Sequence, residues 1–393
     1  MSETVTPLWV FNCNPESKYV KRQEVNSAAI SDDGSLVVAG TFYHDYENNA
    51  PEKTPPQSDF FMYCFEADQT DPRHPQPKHI WLQSSQEGFY SVDISGDGHL
   101  AAGGGKNFSV AYRTLDGTRV LYHQTESRVN QLALSKDGTW LAVASDKLYL
   151  FRYDGKRYNQ APETFQPPNE AYSVSMSLDG KRIVFSDYDS RDDKGAKAKV
   201  FLLSNVNGAF HQVNAFTENE SYSHCVHMSN GGKYFAAGGQ ASGKGCIHFF
   251  DYSEFATTGR PTWTFEVPGI VYSIFVDDQG RTVAVCNDGP DAGFVMLLDN
   301  TGRKLWFRRV ERNPNSVTMA EEYVTVATGH PNSTPGNPSP GYFYLLSSAN
   351  GNTIWKYEVE PPDMCWPMVI SSEATGIVAG SDNQQILYFQ PGP

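Results

Sequence analysis

The chain has 393 residues, of which 19% are charged, and its formal net charge at pH 7 is −14. Gly, Pro, Tyr and Phe are abundant, which is typical of a turn-rich β protein rather than of long helices. The negative charge argues against nucleic acid and anionic membranes as partners, because Lys and Arg supply most of the affinity for phosphates. We find neither an apolar run of about 18 residues nor a secretory leader, and we predict a cytoplasmic protein.

One repeated element runs along the chain. It consists of a short alternating strand, a turn of the type Ser-x-Asp-Gly, and a second strand that ends in small residues. Its eight copies begin at Val25, Phe89, Val129, Ala171, Ser223, Val271, Pro314 and Cys365. The turn serines, or the residues in their place, recur mostly every 40 to 52 residues. Such periods with strand-length apolar segments are typical of propeller blades.

Each copy continues through a variable loop into an apolar third strand and then a fourth strand, which often carries Trp. The eighth copy, residues 365–391, stops after its third strand. Residues 1–16 contain an unassigned strand around Trp9 that supplies the missing fourth strand. We therefore predict a single all-β domain over residues 1–393, an eight-bladed β-propeller of four-stranded antiparallel blades, with seven blades as the alternative. The N-terminal strand closes the last blade and covers edges that would otherwise stay open.

Two motifs resemble known propeller families. The Ser-x-Asp-Gly turns followed by Leu-Ala-x-Gly resemble WD-repeat blades. The spacing Asp299-x-x-Gly302-x-x-x-Trp306, with Gly351-x-x-x-Trp355, is similar to the tryptophan-docking repeat of quinoprotein-like propellers. Quinoprotein enzymes bind pyrroloquinoline quinone, often beside adjacent cysteines, and this sequence has no adjacent cysteines. We predict no cofactor.

The six cysteines lie singly, mostly inside apolar runs, and none forms a CxxC pair. This pattern predicts buried free thiols. His227, three residues after His224, is predicted on the opposite strand face, so the two histidines would not chelate one metal. We predict no metal site.

A candidate site follows from the position of the first strands. In a propeller these strands line the central channel, and the loops that lead into them share one face, here called the loop face, with the loops joining second to third strands. The residue five positions before each turn serine, or its equivalent, is polar or aromatic in every copy. This column, our predicted ligand-binding set, consists of Asn26, Tyr90, Asn130, Tyr172, His224, Tyr272, Asn315 and Trp366.

The column permits two interpretations. Its amides, phenols and imidazole could hold a small polar or aromatic ligand by stacking and hydrogen bonding. Alternatively, the side chains fill the channel mouth and bond to loops and water. His224 titrates nearest neutrality, so it is the natural acid–base candidate, with Tyr90, Tyr172 and Tyr272 as weak catalytic candidates beside it.

Two classes of function remain open at this stage. The first is a non-catalytic interaction or ligand-binding propeller that takes a protein partner or small molecule on the loop face and channel mouth. The second is a small-molecule enzyme of the isomerase, cyclase, lyase or hydrolase type at the same mouth. Long loops at 41–58, 187–198 and 329–341 are candidates for a rim or lid.

Overall fold

The computed structural model describes residues 3–13, 23–42, 59–69, 77–188, 197–217, 221–241, 244–289, 292–329, 340–359 and 365–392. It confirms an eight-bladed β-propeller of four-stranded antiparallel blades. Its one described helix, Tyr252–Thr258, follows the third strand of blade 5 and is capped by the Asp251 carboxylate.

The strands of the first four blades run outward from the channel in chain order. Their bounds are Glu24–Ile30, Leu36–Phe42, Phe60–Glu66 and His79–Ser85 in blade 1; Ser91–Ile94, Leu100–Gly104, Phe108–Arg113 and Arg119–Gln124 in blade 2; Gln131–Leu134, Trp140–Ala144, Leu148–Arg152 and Glu163–Phe165 in blade 3; and Glu170–Met176, Arg182–Tyr188, Lys199–Val206 and Ala209–Thr217 in blade 4.

Blades 5 to 7 repeat this order, and blade 8 takes its outer strand from the N-terminus. Their bounds are Ser221–Met228, Tyr234–Ala241, Lys244–Asp251 and Trp263–Val267 in blade 5; Ile270–Val276, Thr282–Gly289, Ala292–Leu298 and Lys304–Glu311 in blade 6; Pro314–Ala320, Tyr323–Thr328, Gly341–Ser347 and Thr353–Val359 in blade 7; and Cys365–Ile370, Ile377–Ser381, Gln385–Phe389 and Trp9–Asn12 in blade 8.

The ring closes between blades 8 and 1. Trp9–Asn12 pairs antiparallel with Gln385–Phe389, as the sequence predicted. The first strand of blade 8 contacts the first strand of blade 1, just as the other first strands contact their successors. One strand was not foreseen: Glu3–Thr4 adds in parallel to the outer strand of blade 7, so the N-terminal segment joins two blades.

Tryptophans of the outer strands tie each of several blades to the next. The Trp81 Nε1 group donates to Thr114 O at 2.7 Å and that of Trp306 to Ser348 O at 2.7 Å, each reaching a turn of the following blade. Trp9 makes the same contact from blade 8 to Ala67 O of blade 1 at 2.9 Å. Trp355 is different: its buried Nε1 has no acceptor among the described residues. Blade 8 has no hairpin turn after its third strand, because its fourth strand comes from the other end of the chain.

The Ser-x-Asp-Gly turns form a belt on the face opposite the loop face, here called the turn face. In blade 3, Ser135 Oγ donates to the Asp137 carboxylate at 2.8 Å, and Gly138 takes φ +66°. Successive turns are joined by main-chain bonds, such as Lys136 N to Leu178 O at 2.8 Å. Each turn is therefore held by its own side chains and by its neighbour.

Deleting residues 1–16 should open the ring. Trp9 and Phe11 are buried in a core shared by blades 8 and 1, and burying two such side chains contributes about 2 kcal/mol each. We expect urea unfolding to show a stability loss of at least about 4 kcal/mol, and size-exclusion chromatography to show self-association through the exposed edge. Trp9→Phe keeps the strand but loses the indole hydrogen bond and part of the buried ring, so it should cost less than the deletion, about 1 to 3 kcal/mol. A deletion variant as stable as the intact chain would contradict the closure.

Gly138→Ala and Gly155→Ala separate packing from backbone strain. Both glycines have positive φ, so an alanine is strained at either site by about 1 kcal/mol. A Cβ on Gly138 would lie 2.6 Å from Leu100 Cδ1 of the preceding blade, whereas a Cβ on Gly155 meets nothing within 4 Å. Thermal unfolding should therefore show that Gly138→Ala loses about 1 to 3 kcal/mol more unfolding free energy than Gly155→Ala does. Equal losses would show that the turns do not depend on contact with their neighbours.

Candidate functional site

The inner strands each leave one edge without a strand partner, and side chains of the preceding blade bind the amides along it. One row of such side chains lies four residues before the turn serine. Ser27 Oγ accepts from Val92 N of the next blade at 2.9 Å, and Ser173 Oγ accepts from Val226 N at 3.0 Å. Three further bonds repeat this geometry, from Leu132 N to Ser91 Oγ, Val174 N to Gln131 Oε1 and Val317 N to Ser273 Oγ.

A second row lies two residues before the turn serine. Asp93 accepts from Leu134 N at 2.7 Å, and Ser175 accepts from Met228 N at 3.1 Å. His227 accepts from Val276 N at 3.2 Å, and Thr318 accepts from Ile370 N at 3.2 Å. Between blades 8 and 1 the equivalent positions are Pro367 and Val369, which have no acceptor. There Ser372 Oγ of blade 8 donates to the Asp32 carboxylate of blade 1 at 2.8 Å instead.

Two members of the second row have shifted pKa values. Burial raises the pKa of Asp93 to about 7, and the amides of Leu134 and Ile94 oppose that rise by hydrogen bonding. Burial also lowers the pKa of His227 to about 4, so this imidazole is neutral near pH 7 and accepts through Nδ1. Burial at the contact between blades causes both shifts, and the inter-blade hydrogen bonds oppose them.

The predicted column coincides with β-bulges. In blades 1, 4, 5, 6 and 7 the pairing of first and second strands skips one residue, and that residue is the column member. In blade 8 Trp366 and Pro367 are both skipped. Tyr90 and Asn130 directly precede the first strands of their blades. Because a bulge interrupts strand alternation and re-aims side chains, the two-residue period of a strand does not fix the direction of the column side chains.

Two asparagines of the column have structural bonds. Asn130 Nδ2 donates to Ala171 O of the next blade at 2.9 Å. Asn315, which is 8% exposed, donates through Nδ2 to Cys365 O of the next blade at 3.0 Å and to Gly329 O at 3.3 Å. In these two blades the column residue binds the main chain next to the column position of the following blade.

The aromatic members of the column are accessible. Tyr272 is 36% exposed, and Tyr90, Tyr172 and Trp366 are half-buried, as is Asn26. The Tyr90 ring lies 4.3 Å from that of Phe42 and 5.3 Å from the Arg128 guanidinium. His224 occupies the bulge of blade 5, and its side chain lies outside the described part of the structure.

Sequence reasoning missed the side chains that bind the inner amides. A signal was present, because the residue after the column member is polar in most copies: Ser27, Ser91, Gln131, Ser173, Ser273 and Ser316. The residues three positions before the turn serine are apolar in every copy, and all are buried, from Met368 at 0% to Ala28 at 7% exposure. Five of the six cysteines are buried, and Cys225 is half-buried.

Other predicted features are only partly described. Residues 43–58, 189–196 and 330–339 of the three long loops lie outside the described residues. Within the described part of the chain, no three His, Cys, Asp or Glu residues are grouped to hold a metal ion. None of the helices in that part is long and apolar enough to span a membrane.

The described residues line at least two cavities. The first, of about 400 Å³, lies where the channel opens on the turn face, and it is lined by inner-strand ends and turn residues, including Asp93 and Leu178. The second, of about 740 Å³, lies at the outer rim between blades 6 and 7. Two of its three cations are paired with carboxylates, Arg309 with Asp288 at 2.9 Å and Lys356 with Glu311 at 2.7 Å. The third, Arg308, donates to Gly351 O at 3.2 Å.

Asp93→Ser tests the inner-edge bonds through pH. Serine is the acceptor at the same position of blade 4. The pKa of Asp93 is about 7 in the folded chain and roughly 3.9 when unfolded, so its contribution to stability is largest below about pH 4 and is lost as pH rises to about 7. Between pH 5 and pH 8, the free energy of unfolding in urea should fall by about 1 to 3 kcal/mol more for wild type than for the variant. Parallel profiles would contradict this assignment.

Part of the chain matches a known protein family. Residues 116–148 match the WD40 family, described as WD domain, G-beta repeat. The matched segment runs from the outer strand of blade 2 through the first two strands of blade 3. No curated protein sequence matches the chain.

Solved structures of Sqt1 are similar over the full length. Sqt1 from Chaetomium thermophilum is 13% identical, with 98% of this chain and 99% of that chain covered and a TM-score of 0.71. Sqt1 from Saccharomyces cerevisiae is 10% identical, with full coverage of both chains and a TM-score of 0.70. A third structure holds Chaetomium thermophilum Sqt1 bound to the N-terminus of ribosomal protein L10, with 13% identity, 98% and 99% coverage and a TM-score of 0.70. At these identities the likeness concerns the fold, and the chain is a WD-repeat-like, eight-bladed β-propeller.

Proposed function

We propose that this propeller is a non-catalytic interaction module that binds a partner protein on its loop face, around the channel mouth. The observation that carries the proposal is the set of accessible aromatic side chains on the inner-strand bulges and beside them: Tyr90, Tyr172, Tyr272 and Trp366. A ring of this kind presents apolar area and polar tips on rigid strands.

Aromatic residues suit this role because they dominate the energetics of protein interfaces while losing little conformational freedom. Tyr90 is held in advance by Phe42 and Arg128, so less entropy is lost when a partner packs against it. The rest of the inner strands is occupied by inter-blade bonds. Recognition therefore falls to the bulges and to the loops above them.

The comparisons support the proposal by analogy. One repeat matches the WD40 family, and one similar structure shows Sqt1 holding the N-terminus of another protein. The net charge of −14 favours a neutral or basic partner over nucleic acid. A cytoplasmic location stays a prediction from the sequence.

The enzyme alternative also stays a prediction. Its central residue, His224, has a side chain outside the described part of the structure. His227, the neighbouring imidazole, already bonds Val276 N and stacks on Phe275 at 4.0 Å.

A double variant, Tyr90→Ala with Trp366→Ala, tests the loop face. The partner would be captured on immobilised wild-type protein, identified, purified and titrated against each variant by calorimetry. Losing two aromatic anchors should weaken binding by about tenfold or more. The matched control, Tyr122→Ala with Phe307→Ala, removes aromatics that are 52% and 44% exposed on outer strands, and it should bind as wild type does.

Two outcomes would count against the proposal. Equal affinity of the loop-face variant and wild type would place the interface elsewhere. A metabolite that raises the melting temperature of wild type but not of the folded variant would favour a small-molecule site at the same mouth.

A further inference from the structure

The channel ends on the turn face in a cavity whose wall is partly apolar and partly polar. The wall is built by the last residues of the inner strands and one turn residue, among them Ile30, Ile94, Leu134, Met319, Ile370 and Leu178. Most of these side chains are buried, but Ile30 and Leu178 are partly exposed. With a volume of about 400 Å³, the cavity has room for one or two apolar side chains.

Carboxylates line the same cavity in excess of cations. Its acidic residues are Asp32, Asp93, Asp277, Asp278 and Glu321, and its basic residues are Lys136 and Arg281. Both cations are already paired, Lys136 with Asp32 at 2.8 Å and Arg281 with Asp277 at 2.7 Å. Asp278 and Glu321 are exposed at the rim, and no ion pair to either is seen among the described residues.

The surrounding turns extend the negative rim. Asp33, Asp137 and Asp179 are exposed turn residues of blades 1, 3 and 4. Partial burial opposes ionisation, but hydrogen bonds from the turn serines and neighbouring amides outweigh it and lower the pKa of each carboxyl. These groups are therefore ionised at neutral pH and create a negative potential around an apolar opening.

We propose that this mouth of the channel is a second docking site, which takes a cationic peptide segment carrying an apolar residue between basic ones. The apolar side chain would enter the cavity, and the flanking basic side chains would reach Asp278 and Glu321. The apolar part of the wall favours such a segment over a bare cation, because only an apolar side chain removes that surface from water on binding. The site lies at the opposite end of the channel from the loop face and does not depend on the function proposed there.

The test uses the full chain and a fluorescently labelled short peptide of alternating arginine and leucine, followed by anisotropy. Asp278→Asn with Glu321→Gln removes two rim charges, and the asparagine can still accept from Gly231 N, which lies 2.6 Å from Asp278 Oδ1. We expect the Kd to rise about tenfold and its salt dependence to weaken. The matched control, Glu126→Gln with Glu170→Gln, removes two exposed charges at the loop face and should leave the Kd unchanged.

A second variant tests the apolar wall. Leu178→Asn places in blade 4 the residue that blade 5 carries at the same turn position, Asn230, and it keeps the main-chain bond between them. We expect it to weaken peptide binding several-fold while the melting temperature stays close to that of wild type. A peptide with serine in place of leucine should bind wild type with a similarly reduced affinity.

Three results would overturn the proposal. The Asp278→Asn, Glu321→Gln variant and the loop-face control could weaken peptide binding equally, which would show that the peptide is attracted only by the net charge of the protein. The serine peptide, or a polyamine such as spermine, could bind as tightly as the leucine peptide. Wild type could also fail to show saturable binding at low salt.

Discussion

The inner edge of each blade is the constraint on which the rest of the structure depends. A first strand is paired on one side only, and its other edge faces the narrow channel, where a further strand cannot fit. The amides on that edge would be costly if left unpaired. In every blade except blade 1, side chains of the preceding blade bind some of these amides, and such bonds restrain one blade against the next.

This constraint explains why polar residues near the channel need not be catalytic. Asp93 and His227 are half-buried and have shifted pKa values, which are features often used to locate active sites. Here both act as acceptors for main-chain amides. In the functions we propose, recognition falls to the residues displaced by the bulges and to the two rims of the channel.

The two ends of the channel therefore differ in chemistry. The loop face presents aromatic side chains at bulges, whereas the turn face presents carboxylates around an apolar cavity. Turn chemistry produces the second pattern as a by-product, because the Asp that stabilises each turn also carries a charge. A motif selected for folding can in this way create a charged surface, and the proposed docking site makes use of it.

The sequence by itself determined the repeat, the number of blades, the positions of the turns and the closure by Trp9–Asn12. These depend on local chemistry that repeats along the chain: serine and aspartate satisfying a tight turn, glycine accepting positive φ, and apolar alternation within strands. It also placed the column residues on the inner strands. The tertiary structure alone decided that bulges displace that column, that Asn130 and Asn315 bind the next blade, and that Glu3–Thr4 joins blade 7. Those outcomes depend on which atoms of neighbouring blades come within hydrogen-bond distance of each other. The pattern of a single repeat does not encode how its blade packs against the next one.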